Sequence, residues 1–438
     1  MKALVFERNL GRFAASRVVA AVAGSGRGAG VGPLRLTEMA APDMPGTGWY
    51  RVKPTLAGIC GSDLATVDGR SSRYFEDIVS FPFVPGHEVI GTVTESAVPA
   101  PEAEHPGTDG SGTDGSGTAV LAPGTRVVVE PVIGCVARGI TPRCPACAAG
   151  RTGRCERIAY GHLAPGLQIG FCADTGGGWS DAGLVAHGTQ LHPVPDALSD
   201  EDAVIVEPAA CAVHAALAAQ VHDGATVAVI GAGTLGLITV AAIRHLAAPG
   251  ALLVAGKHPH QRALAAELGA DAAVVPDQLP RAVRRQAATL APGGRLTGGA
   301  DVVVDCVGSA ESLGQALGMV RPGGRVVLVG MPGSVSVDLA PLWHREVSLV
   351  GAYAYDVEAT GGAERRTFDI AFELVAAHRL GRLVSARYPL DRFEEAMAHA
   401  GAAGRRGAVK IVFELGSRNR SGRNRPQGTS QERKEPTL

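Results

Sequence analysis

The chain has 438 residues, 46% of them apolar, enough for two domains with separate cores. Lys and Arg number 41 against 42 Asp and Glu, a formal net charge of −1, so no global charge draws the molecule to nucleic acid or acidic lipid. Aromatic residues are only 4%, which argues against stacking on bases, and no apolar run reaches the roughly 18 residues of a membrane span. The first residues, Met1-Lys2-Ala3-Leu4-Val5-Phe6-Glu7, read as a strand without the apolar run and small-residue cleavage site of a signal peptide. The expectation is a cytoplasmic protein that binds neither nucleic acid nor membrane.

Residues 1 to about 95 alternate short β-branched runs with Gly and Pro, as in Trp49-Tyr50-Arg51-Val52-Lys53-Pro54 and Val89-Ile90-Gly91-Thr92-Val93. That texture predicts small twisted strands and turns. Arg12 to Gly32, rich in Gly and Ala, reads as a lengthened hairpin or loop without a function. Between Cys60 and Glu88 lie a thiol, the imidazole of His87 and a carboxylate. Together these are zinc-ligand types, and three protein ligands with an open fourth position define a catalytic site. Taken singly, a buried Cys or a loop His is commonplace, so the metal reading needs support further along the chain.

Ser96 to Thr118 is low in complexity, with Thr108-Asp109-Gly110-Ser111-Gly112 followed by Thr113-Asp114-Gly115-Ser116-Gly117. It cannot bury enough surface to offset its ordering entropy and reads as a disordered surface insertion. The repeat lacks the bulky apolar position of calcium-binding repeats, so a linker is the better reading. Strand character resumes at Gly124 to Glu130, and then come Cys135, Cys144, Cys147 and Cys155, spaced C-x8-C-x2-C-x7-C. The Cys144-Pro145-Ala146-Cys147 knuckle suits two thiolates on one metal, and the other two complete a closed, structural tetrahedron. In a chain without an export signal, metal binding explains eight cysteines better than disulfides do.

At Val206-Glu207-Pro208 a strand or turn leads into a helix, with Glu207 among apolar neighbours. A buried carboxylate needs a partner, which a zinc ion or its bound water would supply; a helix-start acid facing the dipole is the alternative. Thr226 to Ile230 is a continuous buried-strand run, followed by Gly231-Ala232-Gly233-Thr234-Leu235-Gly236 and a helical pattern to Leu246. Placed between strand and helix, G-x-G-x-x-G is the dinucleotide fingerprint: tight turn, close backbone approach and pyrophosphate at a helix N-terminus. The acid that normally accepts from the ribose hydroxyls is missing after the next strand, where the chain reads Gly256-Lys257-His258-Pro259-His260-Gln261-Arg262. A cation there suits a 2′-phosphate, which predicts NADP(H) over NAD(H), with Lys257 first among the candidates, then Arg262 and the histidines. An exposed basic loop without a ligand is the alternative. Further strands at Asp301 to Gly308 and Gly324 to Gly330 alternate with helices, as in a doubly wound parallel sheet. Val409 to Phe413 reads as a strand returning to the first domain, and the polar tail beyond Leu415 as disordered.

Ala57-Gly58-Ile59-Cys60-Gly61-Ser62-Asp63, Pro85-Gly86-His87-Glu88, Gly124-Thr125-Arg126-Val127, the cysteine cluster, Val206-Glu207-Pro208 and the glycine motif resemble, in this order, the medium-chain dehydrogenase/reductase superfamily. The resemblance is to its zinc-dependent alcohol, polyol, sugar and threonine dehydrogenases. It implies an α/β protein: a GroES-like β-rich catalytic domain over residues 1–200, a Rossmann doubly wound parallel-sheet domain over 201–350, a return to the catalytic domain over 351–415 and a tail over 416–438. Cys60 and His87 match the catalytic zinc ligands. The third position, Cys in many alcohol dehydrogenases and acidic in polyol and sugar relatives, is matched by Glu207, with Glu88 an alternate or supporting carboxylate. Ser62 matches the hydroxyl residue that takes the proton from the alcohol while hydride passes to the nicotinamide. Two departures stand out: the relay histidine of many alcohol dehydrogenases is Ala65, and the first cluster cysteine is moved outward, Thr141 occupying its place. The resemblance further implies zinc at both centres, a small alcohol or carbonyl substrate, and a homodimer or homotetramer. The competing readings are a zinc-free quinone or enone reductase of the same fold, separated by metal analysis, and a zinc-stabilised binding protein without turnover, separated by an alcohol and carbonyl panel.

Overall fold

The computed structural model describes residues 2–97, 120–181 and 183–416. Of the segments expected to be disordered, 98–118 and 417–438 lie outside those residues.

Six strands form an all-parallel sheet in the spatial order Ala272–Val274, Ala251–Ala255, Thr226–Ile230, Ala300–Asp305, Val320–Leu328 and Ser348–Gly351. This is the doubly wound dinucleotide-binding order, with the strand before the glycine motif at the centre. Its apolar run is continuous because both faces are covered. Val227 and Val229 pack with the helices Val206–Ala218 and Thr234–Leu246, while Ala228 and Ile230 face Leu279, Val283 and Leu317.

A second, mixed sheet of seven strands carries the other half. Trp49–Gly58 is its hub, pairing antiparallel with Val89–Ser96, Leu184–His187 and the late strand Lys410–Glu414. The two halves share one core: Leu56, Ile90 and Val128 of this sheet pack in the same apolar cluster as Val206, Ala209 and Val213 of the helix Val206–Ala218. Burial of this kind stabilises by about 25 cal/mol per Å² of apolar surface, which makes that helix the shared wall between the halves.

Arg12 to Gly32 departs from the expected loop. Leu10–Ala23 is a helix, started by Asn9, whose Oδ1 accepts from Arg12 N at 3.0 Å. Ala is the best helix former, and apart from Gly11 the glycines of this stretch fall after the helix, from Gly24 on. Buried Ser16 donates its hydroxyl to Val67 O, docking the helix on the segment that follows Cys60.

Candidate active site

Three adjacent strand ends build the first centre. Trp49–Gly58 runs into Ile59 and Cys60; one neighbour, Val89–Ser96, is preceded by His87 and Glu88, and the other begins at Lys410. Gly58 N donates to Glu88 O at 2.8 Å and Ile59 N to Ile411 O at 3.0 Å, which fixes the register at this end. Cys60, His87 and Glu88 each present a ligand atom, and these atoms lie within 4.8 Å of one another. His87 and Glu88 are buried, whereas Cys60 is half-buried. Two glycines make the space. A Cβ on Gly58 would fall 1.8 Å from Glu88 Oε2, and Gly86, at φ +97°, turns the chain into His87 where a side chain would strike Trp179.

Asp63, in the first turn of the helix Gly61–Val67, organises two of the three groups. Its Oδ2 accepts the Cys60 N–H at 2.9 Å, and its Oδ1 lies 3.4 Å from His87 Nδ1. Burial opposes the charged imidazole, yet Asp63 and Cys60 raise the His87 pKa well above the ordinary value. A buried cluster that holds an extra proton so firmly is short of positive charge, and the donor set of sulfur, nitrogen and carboxylate oxygen fits zinc. Lys410 supplies part of that charge: its buried ammonium pairs with Glu88 and donates to Ile59 O at 3.3 Å. Burial works against that ammonium, but Glu88 and Cys60 outweigh it and raise its pKa.

Glu207, the second residue of the helix Val206–Ala218, is buried nearby but outside the group of converging ligand atoms. The sequence places it ahead of Glu88 as third ligand; the carboxylate whose oxygen groups with Cys60 and His87 is that of Glu88. Glu207's carboxyl is pushed up to about 7, first by burial and then by the charge of Glu88, with His87 and Lys410 opposing. One turn on, Cys211 Sγ lies 3.8 Å from Glu207 Oε1. Ser62 is half-buried two residues after Cys60, in the first turn of the same helix. Sequence reading gave no role to Asp63, Lys410 or Cys211. The signals were a carboxylate at the third position of a helix that starts at a thiol, and a lone cation in the apolar run Ala408 to Phe413.

The glycine turn lies beside this centre. Gly231 takes φ +97°, and a Cβ on Gly236 would fall 1.9 Å from Gly231 O, so strand and helix close as a dinucleotide turn requires. Thr234 and Leu235 open the helix Thr234–Leu246 behind Gly233, and Thr234 Oγ1 donates to Val409 O at 3.3 Å. The start of that helix thus touches the residue before Lys410. Lys257 is exposed just beyond Ala251–Ala255, while Arg262 turns back to the carbonyls of Gly256 and Lys257 at 2.9 and 3.1 Å.

The second centre is the cysteine loop. The sulfurs of Cys135, Cys144, Cys147 and Cys155 lie within 4.8 Å of one another, so Cys135 reaches the group despite its displaced position. Backbone N–H groups of Cys135, Cys144, Cys147 and Arg157 donate to the sulfurs at 3.4 to 3.5 Å. The Cys147 thiol hydrogen-bonds to Cys155 and draws its pKa down to about 5, while Cys147 itself is pushed up. Thiols packed so closely, with amides aimed at them, fit a closed four-sulfur zinc site. Fully buried Arg138 lies close by, donating to the carbonyls of Ile133, Tyr160, Leu163, Ala164 and Gly166.

Family models match both halves: the alcohol dehydrogenase GroES-like domain over residues 46–196 and the zinc-binding dehydrogenase over 234–377. The chain is 29% identical to L-idonate 5-dehydrogenase of Vitis vinifera, over 85% of this chain and 90% of that one. It is 28% identical to sorbitol dehydrogenase of Arabidopsis thaliana, over 88% and 93%. Among solved structures, a zinc-binding dehydrogenase from Sinorhizobium meliloti 1021 bound to NADP superposes with a TM-score of 0.67 at 26% identity, covering 94% of this chain and 98% of that one. The alcohol dehydrogenase TADH from Thermus sp. ATN1 gives a TM-score of 0.65 at 26% identity, over 95% and 100%. A GroES-like half joined to a dinucleotide-binding half, with an open mixed-ligand centre between strand ends, defines a metal-dependent dehydrogenase. The chain belongs to the zinc-dependent medium-chain dehydrogenase/reductases. It is accordingly an alcohol dehydrogenase of the zinc type, using zinc and a nicotinamide cofactor on small alcohol or carbonyl substrates. No helix among the described residues is long and apolar enough to cross a membrane.

Proposed function

We propose that the protein interconverts a polyol or related secondary alcohol and its ketone with NADP(H), zinc being held by Cys60, His87 and Glu88. The observation that carries this reading is the convergence of those three ligand types at one buried strand end. Zinc bound there supplies Lewis acidity to the substrate oxygen, and the nicotinamide exchanges the hydride. Asp63 orients the His87 ring, and Lys410 balances Glu88. Ser62 accepts the substrate hydroxyl proton. Glu207, titrating near 7, is a second carboxyl able to hold a proton beside the site at working pH. The polyol class is supported by the names of the sorbitol and L-idonate relatives.

Zinc at Cys135, Cys144, Cys147 and Cys155 belongs to the same proposal, as does a homodimer formed along the edge strand Ser348–Gly351. That edge carries Leu349, and Trp343 nearby in sequence is 82% exposed. Light scattering gives the assembly state. The test of function is a panel of sorbitol, xylitol, idonate and butane-2,3-diol with NADP⁺ and NAD⁺ on zinc-loaded protein, followed by reduced-cofactor absorbance. Turnover of a polyol that disappears in Cys60→Ala supports the reading; a uniformly inert panel removes it.

A further inference from the structure

Cations gather at the corner where the strand Ala251–Ala255 ends. Lys257 is exposed there, and the rings of His258 and His260 stack with centroids 5.9 Å apart at 18°. His260 Nε2 is buried without a hydrogen-bond partner among the described residues. A further cation arrives from the other half of the molecule, in the turn Gly404–Arg406 just before the strand that carries Lys410. This turn is seated against the corner: a Cβ on Gly404 would fall 2.5 Å from His258 Cδ2 and 3.2 Å from Gln261 Nε2. Arg405 extends from it toward Gly24, its Nη2 3.8 Å from where a Cβ on that residue would lie. Gly24 ends the helix Leu10–Ala23, which has no basic residue in its own last turn, so the guanidinium rests at the negative end of that helix.

Among the described residues, Lys257, His258, His260 and Arg405 make no ion pair with a carboxylate. Three cationic or protonatable groups at the corner, with Arg405 next to the residue that touches His258, leave the local field short of negative charge. The His258 pKa is held down by burial and then by His260 and Arg405, ahead of Lys257 and Arg262 on its own segment. The corner lies about 20 residues past the glycine turn, where this fold reads the adenosine ribose.

We propose that Arg405, from the catalytic half, joins Lys257 as a specificity residue for the 2′-phosphate of NADP(H) at this corner. The inference rests on the NADP(H) reading above and adds a ligand-binding group that the segment from Lys257 to Arg262 does not contain. A phosphate held between Lys257 and Arg405 bridges the two halves, so recognition of the 2′-phosphate also draws the catalytic half toward the cofactor.

The test is calorimetric titration of zinc-loaded full-length protein with adenosine 2′,5′-bisphosphate and with adenosine 5′-monophosphate, which needs no turnover. Wild type binds the bisphosphate at least about tenfold more tightly, the worth of one charge-assisted phosphate contact. Arg405→Ala, at an exposed position, narrows that ratio by about tenfold, and Arg405→Lys restores most of it. If Lys257→Ala narrows the ratio and Arg405→Ala leaves it unchanged, or weakens both nucleotides alike, the assignment of Arg405 fails while the NADP(H) reading stands. If wild type does not discriminate between the nucleotides, both fail.

Discussion

The two cysteine-bearing centres are built in opposite ways. Cys135, Cys144, Cys147 and Cys155 come from one stretch of 21 residues, with ligands of one kind and backbone amides as their support. Cys60, His87 and Glu88 come from two neighbouring strand ends, are of three chemical kinds, and depend on Asp63 and on Lys410, more than 300 residues away in sequence. A closed set of like donors completes a metal's coordination and ties a loop; an open, mixed set leaves a position for substrate. The difference teaches where each can fail: the first by local unfolding, the second by loss of charge balance.

Cys60→Ala tests that division most severely. It should lower kcat by at least about 10³-fold and release only the active-site share of bound zinc, with the melting temperature nearly unchanged. Atomic absorption and turnover measure both; loss of all zinc would mean the centres are not independent. Next in size is Lys410→Met, which in metal-free protein strands Glu88 as an unpaired buried charge and should cost about 3–5 kcal/mol in urea unfolding, whereas Lys410→Arg should recover part of it. Cys147→Ser breaks the closed set and should lower Tm by roughly 5–10 °C while kcat per folded molecule holds, since the loop carries no reacting group. The smallest effect concerns Glu207 in metal-free protein. Its folded value of about 7 lies above the ordinary 4.5, so between these the native state holds more protons than the unfolded chain. Stability from this group is therefore intact at low pH and falls as pH rises through about 7, by no more than about 1.4 kcal/mol per pH unit. Glu207→Gln should flatten that slope in thermal melts between pH 4.5 and 8.

Much of this architecture was legible before any coordinates. The glycine motif between an apolar strand and a helix led directly to the coenzyme sheet, because strand burial and phosphate approach both leave local marks. The first helix was not legible as such: Leu10–Ala23 has the alanines of a helix, but the glycines from Gly24 to Gly32 dominated the reading of the whole stretch. That the ligand atoms of Glu88, rather than Glu207, group with Cys60 and His87 follows from strand register, which brings Ala57 opposite Val89; no spacing in the chain states that pairing. Lys410 was passed over because a lysine in a short strand usually faces water, and its burial follows only from a partner in a distant segment.

Arg138 gives the cysteine loop a property its ligands alone would not. Every carbonyl that receives its guanidinium lies between Ile133 and Gly166, and the same span contains all four sulfurs. A divalent ion on four thiolates would carry a charge of about −2, and Arg138 offsets part of it from within the same span. The loop thus carries part of its own charge balance, and it is tied to the segment just after the edge strand Ser348–Gly351, where Gly153 N meets Asp356 at 3.2 Å and Val357 N meets Gly150 O at 3.3 Å. Its ligand spacing can drift, since the four sulfurs still converge with Cys135 moved outward.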